Sequence, residues 1–180
     1  MVDRFTVDED SPKPNCIACT EAKQHVEPFP KSLIRKTKVS ELTHIDLWGK
    51  YSIRSINGHQ YCLLFVDDTK RYATDECIKQ KSDAAQAIIN YLAHLKTQRR
   101  NPKGIQIDCG KEFINEKLEN WCKERGMEIR YTAPYSPSQN GIAERMNCTL
   151  VELSRAMIIT NDLPEFLWEY AVLHAAYLCN

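Results

Sequence analysis

From residue 42 onward, apolar positions fall into short runs and stripes separated by Gly, Pro, Asn and Asp. Leu42 to Trp48 reads as a strand closed by Gly49, and Asn57-Gly58 is a hairpin-type turn signal. Tyr61-Cys-Leu-Leu-Phe-Val66 is a continuous apolar run, the pattern of a central strand buried on both faces. Asp67-Asp-Thr-Lys-Arg71 turns the chain into a third strand, Tyr72 to Ile78. Ser82 to about Gln98 reads as a helix that Ser82 can cap, with an apolar stripe of Ala84, Ala85, Ile88, Ile89, Leu92 and Leu95. Gly104 to Asp108 follows as a fourth strand. A helix comes next, capped by Asn115 and stopped by Gly126, and then a short strand from Met127 to Tyr131.

Thr132 to Gly141 holds two Pro, two Ser, Gln, Asn and Gly, and reads as a loop. A long helix is predicted from about 141 to 160, and Leu163-Pro164 opens a last one, with Pro where its missing N–H costs little. Three strands, then helix, strand, helix, strand, helix, helix predict an α/β fold: a five-stranded mixed sheet flanked by helices. Residues 1 to about 40 are interrupted by Pro12, Pro14, Pro28 and Pro30 and show no sustained periodicity. The expected division is an N-terminal tail with a short Cys-containing turn and a basic linker (1–40), a core (41–162) and a C-terminal helix (163–180).

Composition narrows the class. A chain of 180 residues with 43% apolar content suits one domain with tails. No run approaches 18 uncharged apolar residues, so no membrane span is expected. The acidic, polar start has no apolar core of a secretion signal, so an intracellular chain with reduced thiols is expected. Net charge is zero, which argues mildly against a nucleic-acid partner. Charge is nonetheless local: Lys31, Arg35, Lys36 and Lys38 cluster, as do Lys96, Arg99, Arg100 and Lys103. Each cluster is either a solvated face or a phosphate contact. Asn147-Cys-Thr149 matches a glycosylation sequon, but inside a predicted helix it reads as chance.

Three carboxylates carry the candidate chemistry. Asp46 lies in the first strand, Asp108 ends the fourth, and Glu144 opens the long helix, with 36 positions separating the last two. Two Asp at the ends of apolar strands and a Glu early on a helix suit a pair of divalent cations, which prefer hard oxygen ligands. Asp67 and Asp68 also follow an apolar strand and compete for the role. On the long helix, Ile142, Met146, Leu150, Leu153 and Met157 form the expected buried stripe. Glu144 heads the opposite face with Cys148, Val151 and Arg155, and Arg145 is adjacent.

At these residues the sequence resembles the integrase of copia-type long-terminal-repeat retrotransposons, over about 16 to 180. The matching stretches are Cys16-Ile-Ala-Cys-Thr-Glu-Ala-Lys-Gln-His25, His44-Ile-Asp-Leu-Trp-Gly49, Tyr61-Cys-Leu-Leu-Phe-Val-Asp-Asp68, Asp108-Cys-Gly-Lys-Glu-Phe113 and Thr132-Ala-Pro-Tyr-Ser-Pro-Ser-Gln-Asn-Gly-Ile-Ala-Glu-Arg145. The resemblance implies a ribonuclease-H-like core that trims the 3′ ends of element DNA and joins them to target DNA. It implies Asp46, Asp108 and Glu144 as catalytic ligands of Mg²⁺ or Mn²⁺. It also implies DNA contacts from Gln139, Asn140, Arg145 and Arg155, although Asn140 is equally placed to cap the helix. A homodimer or tetramer acting in the nucleus is the corresponding assembly and place.

Departures from the pattern set a second expectation. The family's zinc module has two His upstream of the Cys pair, and residues 1 to 15 contain none. Cys16 and Cys19 are thus half a tetrahedral site, and Zn²⁺ is not expected on this chain. Cys109, Cys148 and Cys179 stand where the family commonly has Arg or another polar residue, each one C-to-T transition away. The chain is therefore expected to be a polyprotein fragment. The alternative to an active core is a decayed or domesticated copy that serves only to bind nucleic acid or protein. A ribonuclease H proper shares the metal logic, but the Ser136-Pro-Ser-Gln-Asn-Gly141 loop argues against it.

Overall fold

Strand β2 (Tyr61–Asp67) is buried at every position from Cys62 to Val66 because both of its faces are covered. Leu63 and Phe65 join Ile45, Ile105 and Ile107 in one core, while Cys62, Leu64 and Val66 face the other. A strand between two cores needs no polar face, which is why its sequence does not alternate. The computed structural model describes residues 38–108, 110, 113, 115–132 and 140–180, all within one compact unit. Cys16, Cys19, Cys109 and Gln139 lie outside the described residues.

The sheet adds β1 (Leu42–Gly49), β3 (Ala73–Ile78), β4 (Gly104–Ile107) and β5 (Glu128–Tyr131) in the order β3-β2-β1-β4-β5. β1, β2 and β3 run antiparallel to their neighbours, and β1, β4 and β5 are parallel. It is the five-stranded mixed sheet expected from the pattern. Gly49 ends β1 at φ +119°, where an added Cβ would stand 2.7 Å from the Gln60 carbonyl, so only glycine fits this exit.

Helix α1 (Ala84–Thr97) buries the whole predicted stripe against one face. It starts with a 3₁₀ turn, Lys81–Asp83, and the Gln80 N–H donates to Asp83 Oδ2 at 3.1 Å. The reciprocal Gln80–Asp83 box therefore takes the capping role expected of Ser82. Helix α2 (Glu116–Glu124) is capped as predicted: Asn115 Oδ1 accepts from the N–H groups of Lys117 at 2.9 Å and Leu118 at 3.4 Å.

The other face carries α3 (Gly141–Thr160) and α4 (Trp168–Cys179). The deepest row of α3 is Gly141, Ala143, Asn147, Leu150 and Ser154, so of the expected stripe only Leu150 is fully buried. Small side chains let this helix lie close to β1 and β2, and Ile142, Met146, Leu153 and Met157 fill its flank as half-buried packing. Helix α4 is anchored by Trp168, whose indole donates to the Ile53 carbonyl at 3.0 Å and whose ring stacks on Tyr51 at 4.0 Å. At its end the Asn180 amide pairs with both the N–H and the C=O of Ala73, each at 2.8 Å, covering the outer edge of β3. Among the described residues no helix is long and apolar enough to cross a membrane.

Asp75 of β3 breaks the rule for this face. Both its carboxyl oxygens are buried with no hydrogen-bond partner, and burial raises its pKa from 3.8 to about 7. The folded chain thus favours neutral Asp75, and that stabilisation is full below 3.8 and lost as pH climbs through about 7. Asp75→Asn is therefore expected to raise the melting temperature clearly at pH 8 and little at pH 4. Equal gains at both pH values in thermal unfolding would contradict the buried, protonated carboxyl.

Candidate active site

Asp46 lies within β1, where Ile45 points into the core under α1 and α2 and Asp46 points to the α3 side. Asp108 directly follows Ile107, the last residue of β4, and so leaves the strand on that same side. β1 and β4 are parallel with His44 opposite Gln106, and this register carried two residues on sets Asp46 beside Asp108. Glu144 comes from the first turn of α3, which packs across β1 and β2.

Asp46 and Glu144 both depart from ordinary carboxyl behaviour. Burial, and then the charge of Asp108, push the Asp46 carboxyl above its ordinary range, with the Asn147 amide opposing. Glu144 is raised by burial and by Asp46 and Asp108, with Arg145 opposing. Among the described residues no ion pair joins any of the three to a cation. Three carboxylates on one face, none of them in an ion pair among the described residues, fit divalent metal, and the donors are all hard oxygens. No group of three His, Cys, Asp or Glu among the described residues is gathered around one point as a cage for a single ion. A two-ion arrangement asks less: each ion takes a pair of carboxylates and keeps its waters.

Neighbouring groups fix these side chains. Asn147 Nδ2 donates to Asp46 Oδ2 at 2.7 Å, and the Gly110 N–H donates to Asp108 Oδ1 at 3.0 Å. Asn147 carries no functional signal in the sequence beyond its place three residues after Glu144, within the buried row of α3. Asn140, expected at DNA or as a helix cap, stands at the N-cap position of α3. It is 3% exposed, makes no capping bond, and donates from Nδ2 to the Ile45 carbonyl at 3.0 Å. Its amide thus ties the start of α3 to β1 next to Asp46.

Asp67 and Asp68, the competing carboxylates, are engaged elsewhere. Asp67 accepts from the N–H groups of Thr69 and Lys70 at 3.0 and 2.7 Å, and from that of Ser40. Asp68 Oδ1 holds His44 Nε2 at 3.1 Å and Arg71 at 3.3 Å. Burial lowers the His44 pKa, with Asp68 opposing, so the ring is kept neutral on the same face of β1 as Asp46, two residues away. Arg145, Cys148 and Arg155 are exposed on α3. A cleft of about 350 Å³ lined by Val66, Arg71, Ile142, Arg145, Met146, Thr149 and Cys179 lies against α3 but includes none of the three carboxylates.

Replacing Asn147 by Leu removes the donor that holds the Asp46 charge. The Asp46 carboxyl should then titrate at higher pH than in the parent chain by carboxyl-carbon NMR. An unchanged titration would show that Asn147 does not act on Asp46.

Comparison with known proteins agrees with this geometry. Residues 36–137 match the family model described as integrase core domain. The chain is 34% identical over 166 residues to the retrovirus-related Pol polyprotein from transposon TNT 1-94 of Nicotiana tabacum, covering 92% of this chain and 12% of that polyprotein. It is 29% identical over 167 residues to the polyprotein from transposon RE2 of Arabidopsis thaliana, covering 92% of this chain and 11% of that one. The chain thus spans only about an eighth of the polyproteins it matches. In fold it is similar to the simian T-cell lymphotropic virus intasome in complex with PP2A regulatory subunit B56 gamma. The TM-score is 0.67 at 22% identity, over 90% of this chain and 56% of that one. It is also similar to the HTLV-2 integrase catalytic core domain in complex with magnesium, in a dimeric form. That TM-score is 0.56 at 18% identity, over 77% of this chain and 85% of that one.

Proposed function

The chain belongs to the integrase core domain family, with the ribonuclease-H-like fold of retroviral integrase cores, and from that premise we propose that it is a metal-dependent DNA-joining module. Its substrate class is duplex DNA, both element ends and target. The single observation that carries this reading is the convergence of Asp46, Asp108 and Glu144, from two parallel strands and a helix, on one face of the sheet, with Asn147 of that helix bonded to Asp46.

Asp46 with Asp108 would hold one divalent cation, Mg²⁺ or Mn²⁺, and Asp46 with Glu144 the other. When bound, such a pair activates the attacking oxygen and stabilises the leaving oxygen of an in-line displacement. The chain's own residues supply position. Asn147 holds the Asp46 carboxylate in place through its amide. The Gly110 N–H orients Asp108, and the Asn140 amide holds the helix that carries Glu144 against β1. Arg145 and Arg155 stand exposed on the same helix, where their guanidinium groups can reach DNA phosphates. Water would be the attacking group in trimming, and a DNA 3′-OH in joining. A pair of copies would engage two DNA ends at once, and work on chromosomal DNA would place the protein in the nucleus.

A branched duplex that mimics the joined product tests this most simply, because it asks little of flanking domains. Strand resolution should require Mg²⁺ or Mn²⁺. Asp46→Asn and Glu144→Gln should each lower its rate by more than the roughly 10–100-fold typical of outer-shell changes. Activity that persists in chelator, or that in both variants equals the parent chain's, would defeat the proposal.

A further inference from the structure

We propose that Cys62 and Cys77 form an oxidisable dithiol, which a disulfide oxidant of the glutathione class converts to a covalent bridge between β2 and β3. The two thiols stand 3.3 Å apart, Sγ to Sγ, and both are free. They are direct cross-strand partners.

The type of pair matters. Asp67 and Tyr72 close the hairpin with a hydrogen bond from the Asp67 N–H to the Tyr72 carbonyl at 3.0 Å. Ala73, opposite Val66, instead turns its N–H and C=O outward to the Asn180 amide. Pairing type alternates along an antiparallel ladder. Val66–Ala73, Leu64–Asp75 and Cys62–Cys77 are therefore all non-hydrogen-bonded pairs. Such pairs have Cα atoms about 4.5 Å apart and their side chains close, within the roughly 4.4–6.8 Å that a disulfide spans. The bridge needs only a sulfur approach, not a backbone shift.

The surroundings set the order of events. Cys62 is 0% exposed beneath Trp168 and Val172, and burial, together with the Cys77 thiol, pushes its pKa well up. Cys77 lies on the edge strand and is half-buried, so it meets the oxidant first. Cys77 loses its proton and its sulfur attacks oxidised glutathione. One glutathione thiolate leaves, and a mixed disulfide remains on Cys77. Cys62 then loses its proton and attacks the Cys77 sulfur, expelling a second glutathione thiolate. The two protons go to the two departing thiolates, and the two-electron oxidation of the dithiol reduces one glutathione disulfide to two thiols. The product closes a loop between positions 15 apart and fastens the edge strand under α4.

The reduced, folded chain is treated with oxidised glutathione, quenched with an alkylating agent and digested without reductant for mass spectrometry. The expected product is one cross-linked peptide joining Cys62 to Cys77, two hydrogens lighter than its reduced parts. The melting temperature should rise by roughly 5–10 °C, return to its starting value with dithiothreitol, and not rise at all in Cys77→Ser. A lasting glutathione adduct on Cys77 would overturn the proposal. So would full alkylation of Cys62 and Cys77 after unfolding while the exposed Cys148 and Cys179 carry the adducts.

Discussion

The convergence of Asp46, Asp108 and Glu144 on one face of the sheet is the constraint around which this molecule is arranged. Carboxylates free to move would separate, and here they cannot. Two sit on adjacent parallel strands in the middle of a five-stranded sheet. The third is on a helix pressed against that sheet through small side chains. Burial first, and the neighbouring carboxylates after it, raise the Asp46 and Glu144 carboxyls. Folding supplies the energy that keeps the three charges on one face, and a divalent cation is the natural partner that would relieve it.

The supports are as specific as the carboxylates. Asn147 offers a donor where a longer or apolar side chain would leave Asp46 unheld. Asn140 spends its amide on the Ile45 carbonyl, one residue from Asp46, so the loop before α3 is tied to the strand it serves. On the same face of β1 as Asp46, His44 is held by Asp68, which also pairs with Arg71. On the far side of the sheet, Ile45, Leu63, Phe65, Ile105 and Ile107 are fully buried, which makes the two central strands a stiff base for the site.

Much of this was legible in the residues themselves. The continuous run Cys62 to Val66 announced a strand covered on both sides, and the Asn115 and Gly126 signals bracketed α2 as found. Asp46 on the first strand and Asp108 at the end of the fourth were read from the residues, whereas their meeting on one face rests on the β1–β4 register. Long-range partners were not legible. Nothing in the order of residues says that Asn147 meets Asp46 across 101 positions, or that Asn140 reaches the Ile45 carbonyl across 95. The α3 stripe misled for a related reason. Apolar periodicity marks the bulky side chains, whereas closest approach to the sheet belongs to Gly141, Ala143, Asn147 and Ser154. The sequence favoured Asp46 over Asp67 and Asp68 only by resemblance, and it was their turn and ion-pair bonds that set the latter two apart.

Paramagnetic Mn²⁺, titrated into the isotopically labelled chain and followed by NMR relaxation, tests the central claim most directly. The account predicts that a saturable metal dose broadens signals around Asp46, Asp108, Glu144 and Asn147 together, before any other part of the chain. Broadening spread evenly over surface carboxylates such as Glu116, Glu119 and Glu124, with the three unaffected, would contradict it.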